Sequence, residues 1–119
     1  MDKKIKILLI EDNCDIINWV TEITNRYNIN LEIASNTADY LKLTKKYRFK
    51  IILCDISLDY KDEGFDIAKL HKKRRLKAKI VAFTSGNYSK ELIKNSGFDF
   101  YLDKSSSDLI QFFKQQIAV

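Results

Sequence analysis

The chain contains no proline and only three glycines, Gly64, Gly86 and Gly97, in 119 residues. Linkers, repeats and low-complexity tracts are missing with them, and one domain spanning 1–119 is expected. Two cysteines, Cys14 and Cys54, are too few and too far apart for a disulfide framework. His71 is the only histidine, so four sulfur and nitrogen ligands for a tetrahedral metal cannot be assembled within one chain. Both cysteines read as small hydrophobes, buried or half-buried. No apolar run approaches the ~20 residues that a membrane span needs. The N-terminal Met1-Asp2-Lys3-Lys4 leads directly into a strand-like segment, without a signal-peptide core or cleavage site, and the expected location is cytoplasmic.

Acidic residues are missing from one stretch. From Lys69 to Lys79 the chain carries seven basic side chains and no carboxylate, although its net charge is only +5. Without those seven the rest of the molecule carries −2. The basic character is therefore local, and a nucleic-acid partner does not follow from the overall charge. The run His71-Lys72-Lys73-Arg74-Arg75 reads first as the solvated end of a helix, where cations suit the negative dipole terminus. A docking patch for an acidic partner, RNA or DNA is the sharper alternative.

The residues that are present fall into two alternating periods. Short apolar, β-branched runs occupy about 5–10, 30–35, 50–54, 79–83 and 98–102. Between them, helical spacing predicts helices over about 14–27, 37–47, 64–75, 88–95 and 106–117. Asn13 and Asn36 are placed to cap the first two helices. Ser105 to Ser107 crowd the start of the last, with Asp108 favouring its dipole, and Gly97 suits a left-handed terminator of the fourth. Five strands alternating with five helices predict an α/β fold, a flavodoxin-like sandwich whose parallel sheet is covered on both faces. The expected strand order is 2-1-3-4-5, with its switch point between the first and third strands.

Polar residues stand where those apolar runs stop. Lys6–Ile10 ends in Glu11-Asp12, Ile51–Cys54 in Asp55, Ile80–Phe83 in Thr84, and Phe98–Leu102 leads through Asp103 to Lys104. In an open parallel sheet these ends share one edge, where ligands bind. Three carboxylates gathered there repel one another unless a cation intervenes. Lys104 supplies one charge, and a hard divalent ion such as Mg²⁺ suits the remainder. Asp55 is the candidate nucleophile toward phosphorus, with Lys104 and Thr84 placed to meet the charge of a transferring phosphoryl group.

The segments "ILLIEDN", "IILCDISL", "VAFTSG" and "FYLDKS", in this order, resemble the receiver domain of two-component response regulators over essentially the whole chain. The resemblance implies that Asp55 accepts a phosphoryl group from the phosphohistidine of a sensor histidine kinase or a histidine phosphotransfer protein. It implies Mg²⁺ bound by Asp12 and Asp55 directly, by Glu11 mostly through a water, and by the Ser57 carbonyl. Thr84 and Lys104 would contact the phosphoryl group, and Tyr101 would be the switch aromatic, with a plain edge-of-core tyrosine as the alternative. The chain would be a signalling switch that changes affinity for a downstream protein target, not an enzyme acting on a separate metabolite.

This chain departs from the family pattern in several places. Where many members carry proline, Asp59 and Ser105 stand here, and a trans bond is expected at 104–105. The Asp55–Gly64 loop is one residue longer than the commonest form, and the Thr84–Gly97 stretch about two residues shorter. A haloacid-dehalogenase-type phosphatase would need an acid at Ser57 and a cap domain, and has neither. A pseudo-receiver acting only as an interaction module, and the choice between a stand-alone receiver and one cut from a longer regulator, stay open.

Overall fold

Side-chain alternation along the strands divides the interior into two layers, one on each side of the sheet. The computed structural model describes residues 5–117, and the expectation at Met1–Lys4 lies outside them. The elements run β1 (Lys6–Ile10), α1 (Cys14–Arg26), β2 (Asn30–Ala34), α2 (Thr37–Lys46), β3 (Ile51–Cys54), α3 (Glu63–Arg74), β4 (Lys79–Thr84), α4 (Lys90–Asn95), β5 (Phe100–Asp103) and α5 (Ser106–Ile117). All strand pairs are parallel, in the order β2-β1-β3-β4-β5.

Ile7, Leu9, Ile51, Leu53, Val81 and Phe83 pack with Val20 and Ile23 of α1 and with Leu109 and Phe113 of α5. Their neighbours Leu8, Ile10, Ile52, Cys54, Ile80 and Ala82 face the other way, toward Tyr40, Phe65, Ile67 and Ile93 of α2, α3 and α4. Period-two strands thus feed two apolar layers, which is why the inner strands are apolar at nearly every position. Phe83 and Phe113 are fully buried, each contributing about 1.5–3 kcal/mol relative to exposure.

The helix caps follow the sequence. Asn13 Oδ1 accepts from the N–H groups of Asp15 and Ile16, and Asn36 Oδ1 from that of Asp39. Ser105 Oγ accepts from the Asp108 N–H at the start of α5. Gly97, at φ +106°, follows the end of α4. α4 itself begins two residues later than expected, where Ser89 caps it. No peptide bond among the described residues is cis, in agreement with the expectation at 104–105.

Two expectations fail. Cys14 is exposed, since α1 turns its apolar face away from that position, while Cys54 is buried as expected. His71 is also buried, not part of a solvated helix end. Its Nε2 lies 2.8 Å from the Ala78 carbonyl, which can only accept, so that nitrogen carries the proton. Nδ1 is then free to accept from Tyr40 Oη at 2.6 Å. The neutral ring thereby ties α3 to α2 and to the start of β4.

Burial holds His71 below the ordinary imidazole range, with the Ala78 bond opposing and the nearby Arg74 charge assisting. Below about pH 6.5 the unfolded chain binds a proton that the folded ring refuses. Stability is therefore full above that pH and is lost as the pH falls toward the lower folded value. Urea midpoints taken from about pH 7.5 down to 5 should fall accordingly, and less steeply in His71→Gln.

Candidate acidic site at the strand ends

The strand register sets the site. Ile10, Cys54, Ala82 and Tyr101 form one row across β1, β3, β4 and β5. Glu11 and Asp55 stand one residue beyond that row, Asp12 and Thr84 two, and Lys104 three. The ladder continues past the strands, with the Glu11 N–H donating to Ala34 O and the Asp55 N–H to Ile10 O, each at 2.9 Å. Backbone pairing, not side-chain attraction, therefore brings the acids together.

Lys104 Nζ lies 2.8 Å from Glu11 Oε2 and 3.2 Å from Asp55 Oδ1. Glu11, Asp12 and Asp55 each place one carboxylate oxygen within 4.8 Å of the others. Glu11 and Asp55 are buried, at 1% and 8% exposure, whereas Asp12 is open to solvent. The Ile56 N–H donates to Asp55 Oδ1 at 2.8 Å, and the Asn13 N–H to Glu11 Oε1 at 3.2 Å. Glu11 Oε2, fully buried, accepts no well-aligned hydrogen bond, although the ammonium is close.

Desolvation raises the Glu11 carboxyl above its usual range; the Lys104 ammonium opposes this and the Asp55 charge adds to it. Burial also works against the Lys104 charge, but Glu11 and Asp55 outweigh it and hold the ammonium above the ordinary lysine range. The pocket has one cation against three carboxylates. Its donors are all hard oxygens, one of them buried and poorly satisfied, and that set fits a divalent ion such as Mg²⁺.

The remaining expected residues sit around this centre. Thr84, buried at the end of β4, accepts the Gly86 N–H on its Oγ1 at 3.1 Å. Tyr101 is half-buried and donates from Oη to the Gly86 carbonyl at 3.4 Å, tying β5 to the β4–α4 loop. Ser57 is exposed, two residues beyond Asp55. Burial pushes the Cys54 thiol well above its usual range, reinforced by Asp55, and it donates to the Asp55 carbonyl at 3.2 Å. It stays a protonated thiol.

Two residues near the site have roles that spacing along the chain did not announce. Glu63, buried at the start of α3, accepts from the Asp59 N–H at 2.9 Å, and from the N–H and Oγ1 of Thr37 at 2.8 and 2.7 Å. It ties the β3–α3 loop to the first turn of α2. Tyr88 packs edge-on against Phe65, with Oη 3.5 Å from Asp62 Oδ1, and so spans the β3–α3 and β4–α4 loops. An acid opening a helix and a loop tyrosine are the only sequence traces of these contacts.

A family model for the response regulator receiver domain matches residues 7–112. The chain belongs to that family. A two-component response regulator from Clostridium difficile superposes with a TM-score of 0.86 at 23% identity, covering 97% of each chain. Chemotaxis protein CheY4 of Vibrio cholerae gives 0.85 at 20% identity, over 96% of this chain and 99% of that one. The receiver domain of Saccharomyces cerevisiae Ssk1, solved with the histidine phosphotransfer protein Ypd1, gives 0.81 at 22% identity, over 95% and 88%. No curated protein sequence matches this chain. The receiver therefore takes its place in two-component signalling, and its flavodoxin-like sheet order matches that of these structures.

Gly64 fixes where Asp55 stands. A Cβ at that position would come 2.2 Å from the Asp55 carbonyl oxygen and 2.6 Å from Ile56 Cα. Both are backbone atoms that cannot swing aside. Gly64→Ala should lower the unfolding free energy by about 1–3 kcal/mol or more, read as a lower urea midpoint. Gly86→Ala meets side-chain atoms, the Tyr88 ring and Thr84 Oγ1, in place of backbone and should cost less.

Proposed function

We propose that this receiver accepts a phosphoryl group on Asp55 from the phosphohistidine of a sensor histidine kinase or a histidine phosphotransfer protein. The observation that carries the reading is the Lys104 ammonium set between Glu11 and Asp55, at 2.8 and 3.2 Å, beside a third carboxylate. Asp55 Oδ1 already receives the Ile56 N–H and the ammonium, so Oδ2 is the oxygen left to attack. A bond forms from Oδ2 to phosphorus as the phosphorus–nitrogen bond of the donor breaks, and the imidazole leaves with the electron pair. Glu11, Asp12 and Asp55, with the Ser57 carbonyl, would hold Mg²⁺. The ion, when bound, neutralises charge on the phosphoryl oxygens.

Lys104 is positioned to turn from Glu11 toward the incoming charge. The Thr84 hydroxyl can rotate from the Gly86 N–H to donate to a phosphoryl oxygen. Moving Thr84 disturbs the Gly86 segment that Tyr101 holds, which gives the modification a route to β5 and α5. The switched output is affinity for a downstream protein, not turnover of a separate metabolite. A cytoplasmic location belongs to the same proposal; among the described residues no helix is long and apolar enough to cross a membrane.

Incubation with a small acyl-phosphate donor and Mg²⁺ should add one phosphoryl group to the intact mass, and Asp55→Asn should abolish the gain. No Asp55-dependent gain would leave the unphosphorylated interaction module as the better reading. Magnesium alone should raise the thermal midpoint, with a stabilisation approaching about 2.7 kcal/mol when the ion reaches a hundred times its Kd. Asp12→Asn should lose most of that rise while holding or slightly raising the metal-free midpoint, since one of three mutually repelling carboxylates is removed.

A further inference from the structure

The basic run Lys69–Lys79 has no part in the acidic pocket, and the fold gives it a shape. Lys69, Lys72 and Lys73 on α3 form one wall of a groove of about 800 Å³, and Lys94 at the end of α4 stands on the other. Beyond α3, Arg75, Lys77 and Lys79 line a smaller hollow that shares Lys72 and Gly97 with it. All seven cations are exposed. Among the described residues, none of them has a carboxylate within ion-pair distance.

Helix ends explain only part of this charge. α3 and α4 both terminate here, and each C-terminus is worth about half a negative charge. Asp99 is the single acid lining either hollow, and it already accepts the Ile80 N–H at 2.9 Å. About five positive charges are left without local compensation, at a cost in mutual repulsion.

The backbone is adapted to the groove as well. Gly97 lies at φ +106°, and a Cβ there would stand 3.0 Å from the Ala68 carbonyl oxygen and 3.5 Å from Lys72 Cβ. Its bare Cα lets the α4–β5 turn press against α3, which forms the floor. Arg75 holds φ +53°, a conformation that favours glycine or asparagine.

We propose that this groove docks an acidic polypeptide segment of a partner protein. Its lining includes no phenylalanine, tyrosine or tryptophan face on which a nucleic-acid base could stack. Six of its seven cations are lysines, point charges on flexible stems that can meet carboxylates of an extended chain without a fixed geometry, and only Arg75 offers a planar fork. The volume suits a few residues of extended chain. Lys79 opens β4 and Thr84 closes it, so the groove lies roughly 16 Å from the acidic pocket at ~3.3 Å per strand residue. A partner held there leaves Asp55 accessible.

A fluorescein-labelled oligoglutamate peptide, followed by anisotropy on the full chain, tests the proposal. Binding should weaken steeply with salt and fall about tenfold or more in Lys72→Glu/Lys94→Glu. Lys42→Glu/Lys114→Glu, which changes net charge equally on exposed faces of α2 and α5, should change it little. Backbone amide shifts in the unaltered protein should concentrate at residues 69–79 and 94–97, a readout independent of any variant's folding. Equal weakening by both double variants, or amide shifts spread over the surface, would overturn the assignment. Stronger binding of an oligothymidylate than of the peptide would overturn it in favour of nucleic acid. Asp55→Asn should leave the affinity unchanged, so this result stands or falls apart from the phosphorylation chemistry.

Discussion

Electrostatic repulsion among Glu11, Asp12 and Asp55 is the constraint around which this molecule is organised. Parallel strand pairing forces the three side chains onto one edge, and two of them are buried there. One ammonium, from Lys104, offsets part of the repulsion and leaves the site short of positive charge. A pocket in that condition suits a divalent cation with oxygen ligands. The hydrophobic layers, the loop bonds of Glu63 and the close approach of Gly64 hold this arrangement in place against its own repulsion.

The two ends of the sheet carry opposite excesses. Acids without enough cations gather beyond the C-terminal ends of β1 and β3. Cations without acids gather where α3 and α4 finish, beside the N-terminal end of β4. The apolar interior lies between them, so the two charge clusters do not neutralise one another. A modest net charge of +5 conceals this separation.

Much of this is legible in the amino-acid sequence. Polar residues closing apolar runs fixed Glu11, Asp12, Asp55, Thr84 and Lys104 as neighbours, because a parallel sheet leaves few ways to arrange five such strands. The caps at Asn13, Asn36 and Ser105 were legible too, since they are local chemistry. What stayed hidden was non-local. His71 looked like one more polar residue in a basic run, and only the position of Tyr40, thirty-one residues earlier, makes it an interior clamp. Glu63 carries no mark in the sequence of its bonds to Thr37 and Asp59. Cys14 reads in the sequence as a small buried or half-buried hydrophobe, and its exposure depends on which face α1 presents to the sheet.

The bond pattern of Glu63 has a consequence for observing this protein. One carboxylate holds the Thr37 amide with one oxygen and the Asp59 amide with the other. The loop that follows Asp55 and the opening turn of α2 are therefore mechanically joined, although they belong to different crossover units. Solvent exchange at the Thr37 amide becomes a reporter of loop motion beside Asp55, from a position that no phosphodonor or metal ion would touch.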